Sequence, residues 1–98
     1  MKIINGLNKV FDSRVRLGIM SILAVNDATD FNALKELLDV TDGNLASHLK
    51  ALEKELFIET QKSFLGRKPN TRYIITKQGR AVFEAHIAAL EKLIKSHK

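Results

Sequence analysis

Six basic residues are concentrated in one segment of this chain and suggest binding chemistry rather than catalysis. Between Thr60 and Phe83 the chain has no acidic residue, and its basic residues are Lys62, Arg67, Lys68, Arg72, Lys77 and Arg80. The remainder carries ten basic and eleven acidic residues, so the net charge of +5 comes entirely from this segment. Positive charge concentrated in this way favours docking of a polyanion. The alternative is a solvated basic face without a ligand.

A second group of polar residues lies on one face of a predicted helix over 42–55. Thr41 is a suitable N-cap for this helix. At roughly 100° per residue, four leucines fall within about 60° of one another and predict the buried face: Leu45, Leu49, Leu52 and Leu56. The opposite face carries small or hydrogen-bonding residues: Gly43, Ser47, Lys50 and Lys54, with Asn44 and Ala51 at its edge. Such a face, on a helix that follows another helix after a short turn, is typical of a recognition helix that enters DNA.

The elements before that helix are predicted from periodicity and capping residues. A helix is expected over 13–25, with buried candidates Val15, Ile19, Ile22 and Leu23. Residues 28–31 are expected to form a short strand, and Asn32 is a suitable cap for a second helix. Residues 32–55 would then form a helix-turn-helix. Residues 3–11 also show helical spacing of apolar side chains, although Gly6 weakens that helix.

The second half of the chain predicts a hairpin and one long helix. Residues 57–64 and 71–76 have a strand composition, and the segment 65–70 between them, which holds the only proline, is expected to be the hairpin tip. Thr76 can cap a helix that runs to about His97, roughly 30 Å long. Its apolar residues alternate steps of four and three, which is typical of a coiled-coil seam: Phe83, Ile87, Leu90 and Ile94. This pattern predicts a homodimer formed by the last helix, joined by residues 3–11.

Five stretches in this order resemble the winged-helix domain of small MarR/ArsR-type transcriptional regulators. They are RVRLGIMSIL (14–23), DFNALKELL (30–38), TDGNLASHLKAL (41–52), GRKP (66–69) and ITKQGR (75–80). The resemblance covers about residues 10–95. It implies a mainly α-helical winged helix-turn-helix with a wing at about 57–76 and a C-terminal dimerisation helix at about 77–97. It also implies a homodimer that binds operator DNA, with Thr41 to Lys50 in the major groove and Arg67 and Lys68 on the wing.

Individual roles follow from the chemistry of each side chain. Asn44 and Ser47 are the candidates for reading base edges, although Asn44 could instead serve helix capping and Ser47 could be a small surface residue. Arg67 is expected in the minor groove, because a guanidinium loses water more easily than an ammonium. The wing residues expected to contact the DNA backbone or lie beside it are Lys62, Lys68, Asn70 and Arg72. His48 lies about 60° from the leucine face, which fits either a packing histidine or a phosphate contact.

Other classes of function find less support in the sequence. No nucleophile elbow, phosphate-binding loop or zinc-protease motif occurs, so an enzyme is not expected. Glu84, His86 and His97 resemble the ligand spacing of zinc sites in ArsR-type sensors, but surface and seam histidines without a metal are favoured. A winged helix that coats DNA non-specifically or contacts proteins is the remaining alternative.

The overall composition fits one small domain. The chain has 98 residues, 45% hydrophobic, and no cysteine, which excludes disulfides and thiol catalysis. No secretory or membrane-spanning pattern is found in it, so the cytoplasm is the expected location. No cofactor is expected.

Overall fold

Four α-helices and a three-stranded antiparallel sheet form a winged helix in the computed structural model, which describes residues 6–95. A 3₁₀ turn at Lys9–Phe11 precedes the first helix. In chain order the elements are α1 (Arg14–Val25), β1 (Thr29–Asp30), α2 (Phe31–Leu38), α3 (Asp42–Lys54), β2 (Ile58–Leu65), β3 (Lys68–Ile75) and α4 (Lys77–Lys95). The expected fold class is confirmed. In residues 6–95, no helix combines the length and apolarity needed to span a membrane.

Side-chain caps set the beginnings of the helices. The Thr41 hydroxyl oxygen accepts from the Asn44 N–H at 3.2 Å, as predicted for α3. Thr76 caps α4 by accepting from the Gly79 N–H at 2.9 Å, also as predicted. The expectation for α2 was wrong: its cap is Asp30, which accepts from the Ala33 N–H at 2.8 Å, and Asn32 lies inside the helix. The cap comes earlier because β1 holds Asp30 extended opposite Arg72 of β3.

The wing is the hairpin of β2 and β3, and its turn is shorter than expected. Leu65 pairs with Lys68, which leaves only Gly66 and Arg67 in the turn. Gly66 has φ of +66°, a conformation that glycine adopts without steric cost. The six-residue tip predicted from Pro69 is therefore wrong, and Pro69 lies in β3. It is tolerated there because β1 pairs only with Arg72 and Tyr73, so one edge of β3 is open beside the proline.

The core lies between α1, α3 and the base of the wing. Its fully buried side chains come from several elements and include Ile19, Met20, Leu23, Leu34, Leu45, Leu52 and Ile58. Three of the four predicted leucines of α3 are buried, but Leu56 is 64% exposed. The helix ends at Lys54, and Leu56 follows it with φ of +65°, so the leucine spacing continues past the end of the helix.

The segment before α1 packs on α4. The expected helix over 3–11 was wrong for its described part, which is not α-helical and includes the 3₁₀ turn at Lys9–Phe11; Ile3 and Ile4 lie outside the described residues. The Phe11 ring contacts the rings of Phe57, Phe83 and His86 at centroid distances of 5.7, 5.7 and 5.0 Å. These contacts close the core around Phe11.

This packing buries some residues of the predicted dimer seam of α4 inside the chain and leaves others exposed. Phe83 is only 8% exposed and belongs to the core of its own chain, so its assignment to a dimer seam is corrected. Leu90 is half-buried, whereas Ile87 and Ile94 are exposed. An apolar stripe on a helix does not by itself distinguish an internal core from a subunit interface, because either one covers an apolar helix face.

Candidate nucleic-acid interface

The outer face of α3 presents the polar residues that the sequence predicted. Burial of Leu45, Leu49 and Leu52 against α1 turns the opposite side of the helix to solvent. The predicted contact residues on that side are exposed: Thr41, Gly43, Asn44, Ser47 and Lys50. The Asn44 backbone N–H is bonded to Thr41, while its side chain is exposed. This geometry leaves the amide of Asn44 and the hydroxyl of Ser47 accessible to a groove of DNA.

The acidic residues of α3 have partners on neighbouring elements. Lys35 of α2 forms an ion pair with Asp42 at 2.7 Å, across the turn between the two helices. The Thr60 hydroxyl donates to a carboxylate oxygen of Glu53, which ties that acid to the base of the wing. Burial, and secondarily the Glu53 carboxylate, raise the pKa of the Tyr73 phenol on the adjacent strand. These contacts reduce the repulsion that free carboxylates would exert on a phosphate backbone.

The wing residues predicted to bind DNA do not share one face. Directly paired residues of antiparallel strands lie on the same face, and successive residues alternate. Lys62, paired with Thr71, shares the face of Thr60 and therefore lies on the α3 side. The other face carries three of the predicted residues: Lys68, Asn70 and Arg72. Arg67 lies in the turn, where it is exposed.

The second face of the wing borders a groove. Ser63, Leu65, Asn70 and Arg72 line this groove of about 510 Å³ together with residues of α1 and α2. Asn70 is half-buried there. The structure therefore places Lys62 on the same side of the wing as α3 and leaves Arg67 exposed in the turn, whereas Asn70 and Arg72 lie on the opposite side.

His48 is half-buried and bonded to a residue that sequence reasoning missed. Nε of Arg16, in the first turn of α1, donates to Nδ1 of His48 at 3.0 Å. Nη1 of Arg16 also approaches the Val10 carbonyl oxygen at 3.5 Å. Burial first, and the Arg16 guanidinium second, hold the pKa of His48 below its ordinary value. No sequence signal predicted this pair, because the two residues are 32 positions apart.

The histidine on α4 has a structural partner. His86 is 4% exposed, and its Nδ1 accepts from the Asn8 backbone N–H at 3.0 Å. Glu84 is exposed on the same helix, and His97 lies outside the described residues. Within residues 6–95, no cluster of three or more histidine or acidic residues has the arrangement of a metal site.

Comparisons with known proteins agree with this geometry. The family model of the winged helix DNA-binding domain matches residues 15–94. An uncharacterized protein of Methanocaldococcus jannaschii is 42% identical over 88 residues, which are 90% of this chain and 96% of that protein. The structure of a transcriptional regulator homologue from Pyrococcus horikoshii OT3 matches with a TM-score of 0.82 and 29% identity, over 98% of this chain and 97% of that chain.

A solved MarR-family protein extends the likeness at the level of fold. The zinc-responsive MarR family member of Lactococcus lactis matches with a TM-score of 0.69 and 19% identity, over 92% of this chain and 61% of that one. The winged-helix resemblance noted in the sequence is confirmed by the family model, and this solved structure shares the fold. The chain belongs to the winged helix DNA-binding domain family.

Proposed function

We propose that this protein binds double-stranded DNA sequence-specifically as a homodimer. The observation that carries the proposal is the shared side of α3 and the wing. The exposed residues of α3, together with Lys62 and the turn at Arg67, offer hydrogen-bonding groups flanked by positive charge. An α-helix fits the major groove, where the pattern of donors and acceptors on the base edges is unique.

Within this surface, the two elements have different roles. Asn44 and Ser47 read base edges, since they lie in the first turns of α3 with exposed side chains. Lys62 contacts the phosphate backbone, and Arg67 reaches the minor groove from the turn of the wing. Lys68, Asn70 and Arg72 would meet DNA only if it passed the opposite face of the wing.

The exposed apolar residues of α4 are the basis for the homodimer. Ile94 is 75% exposed and Ile87 36% exposed, and a second copy of α4 would bury both. A two-fold dimer presents two α3 helices to inverted half-sites about one helical turn, near 34 Å, apart. Dimerisation would thus set the spacing of the two half-sites.

The test of DNA recognition is selection of bound sites from random duplexes, followed by affinity measurements at several salt concentrations. Asn44→Ala is expected to cost about 1 to 3 kcal/mol per half-site on the selected sequence and almost nothing on random DNA. Lys62→Ala should weaken binding to both duplexes and lower the salt slope by about one per protomer. Lys68→Ala is the matched control on the opposite face, with a smaller expected effect.

Other outcomes distinguish the alternatives. If no sequence is enriched, the chain coats DNA without reading it. If a sequence is enriched but Asn44→Ala weakens binding to both duplexes equally, Asn44 does not read bases. If the Lys68→Ala variant loses more affinity than the Lys62→Ala variant, the assignment of the wing faces is wrong. A wild-type chain that binds neither duplex refutes the proposal.

The dimer is tested by sedimentation equilibrium at micromolar concentration. Ile94→Glu should shift the wild-type dimer towards the monomer, because it places a charge in an apolar interface. Val25→Glu is the control, since Val25 is 82% exposed at the end of a different helix, α1. A monomeric wild-type protein, or equal effects of the two variants, would contradict the proposed interface.

A further inference from the structure

The Arg16–His48 hydrogen bond fixes the protonation state of a residue beside the proposed DNA surface. Because the Arg16 Nε–H donates to His48 Nδ1 at 3.0 Å, that ring nitrogen must present a lone pair. The proton of the neutral imidazole is then on Nε2. The guanidinium is itself held in place by its approach to the Val10 carbonyl, so the ring has a fixed partner on its inner side.

The second ring nitrogen is directed away from α1. The two nitrogens of an imidazole point in divergent directions, and among residues 6–95 every buried side-chain nitrogen or oxygen has a hydrogen-bond partner. Arg16 is the partner that the structure shows for His48, through Nδ1, so Nε2 reaches the surface. His48 is one helical turn from Asn44, about 40° around the helix axis. Its Nε2–H therefore emerges on the flank of the surface proposed to face DNA.

The charges around His48 favour the neutral ring. One turn away on its own helix are Asn44, Leu45, Ala51 and Leu52, none of which is titratable. From α1, the charged group that faces the ring is Arg16. The segment before α1 contributes the Val10 carbonyl, which contacts the guanidinium rather than the imidazole. Protonation of Nδ1 would break the bond to Arg16 and place two cations in contact.

We infer that Arg16 is a positioning residue for DNA binding, which holds His48 as the neutral Nε2–H tautomer so that it donates one hydrogen bond to a backbone phosphate. This inference rests on the proposed function. It assigns to His48 the phosphate contact that the sequence left open. Arg16 then affects DNA binding by positioning His48 and does not contact DNA itself. The phosphate contact is then made by a neutral donor, so its strength does not depend on pH above the titration of His48.

The geometry itself is tested without DNA by long-range ¹H–¹⁵N NMR of the imidazole nitrogens. In the wild-type protein, Nε2 is expected to carry the proton, with Nδ1 as acceptor. In Arg16→Met, which keeps most of the length of the side chain, the His48 titration should move to higher pH, and Arg16→Lys should restore part of the difference. A mixed tautomer in the wild-type protein, or an unchanged titration in Arg16→Met, would overturn the inference.

DNA affinity then tests the functional part. His48→Gln is expected to weaken binding to the selected site and to random DNA alike, on the order of tenfold per protomer. Arg16→Met should make affinity rise as pH falls from 8 to 6, because the freed ring becomes an imidazolium beside phosphate. The same pH dependence should be weaker in the wild-type protein, where the pKa of His48 is lowered, and absent from the Arg16→Met/His48→Gln double variant.

A double-mutant cycle separates this role from a direct contact. If Arg16 acts through His48, Arg16→Met adds no loss of affinity to His48→Gln and leaves its salt slope unchanged. Additive losses with a lower salt slope would show that Arg16 itself contacts phosphate, which overturns the inference while the proposed function stands. A wild-type protein that binds no DNA overturns both.

Discussion

Gly79 is the residue at which the fold tolerates a side chain least. It lies in the first turn of α4, directly against the backbone of Phe57, the residue before β2. A Cβ at this position would lie 2.0 Å from the Phe57 carbonyl oxygen, 2.7 Å from its carbonyl carbon and 2.8 Å from its Cα. Backbone atoms cannot rotate away as a flexible side chain can. Gly79→Ala must therefore displace the beginning of α4.

The size of the effect follows from the displacement and from the bonds it breaks. Moving the new methyl to an ordinary contact of 3.4 Å from the oxygen requires about 1.4 Å of movement. Such movement breaks the hydrogen bond of 3.0 Å that the Thr76 N–H donates to the Phe57 carbonyl oxygen, and it strains the Thr76 cap of α4. These losses and the overpacking outweigh the roughly 1 kcal/mol by which alanine favours a helix. We expect a net destabilisation of about 3 kcal/mol.

Urea unfolding followed by circular dichroism, at one fixed protein concentration, measures this difference. With an m-value near 1.5 kcal/mol/M, the midpoint of Gly79→Ala should fall by about 2 M. Gly43→Ala is the matched control, because Gly43 is also in a first helical turn and a Cβ added there would have no atom within 4 Å. It should be neutral or stabilising by up to about 1 kcal/mol. Equal stabilities of the two variants would refute the steric argument.

Two further predictions concern backbone conformation and acid. Leu56→Gly should raise the free energy of unfolding by about 0.5 to 1 kcal/mol in the same assay, because Leu56 is exposed and has φ of +65°. A lower free energy of unfolding in this variant would mean that the Leu56 side chain makes a stabilising contact. Stability should decline as pH falls below 6.5, the ordinary pKa of histidine, because the lowered pKa of His48 means that the folded state binds fewer protons than the unfolded state. His48→Gln should flatten this decline, and an unchanged pH profile of stability in that variant would contradict it.

Local patterns predicted the helices well because capping and periodicity depend on neighbouring residues. Thr41 and the leucines of α3 are examples, and their spacing also identified the exposed face of α3. The cap of α2 was misplaced, because Asp30 and Asn32 are both suitable caps. Only the pairing of Asp30 with Arg72 in the sheet decides between them.

Features that depend on distant residues were not predictable from the sequence. A two-residue turn fixes the register of the wing, and the register in turn places Lys62 and Arg72 on opposite faces. The composition of the hairpin did not specify that turn. The Arg16–His48 bond joins two helices, and no local spacing predicts it. Phe83 followed the coiled-coil spacing but packs against Phe11 of its own chain.

The contacts of Phe11 affect how the protein folds during synthesis. Its ring lies between Phe57, Phe83 and His86, and the Asn8 N–H bonds to His86 across 78 positions of sequence. A nascent chain that has reached the end of the wing still lacks two of these three aromatic partners. Phe11 stays without them until α4 leaves the ribosome, so the core closes late and the closing step spans most of the chain. A helix-turn-helix that is already formed would until then be attached to an incomplete core.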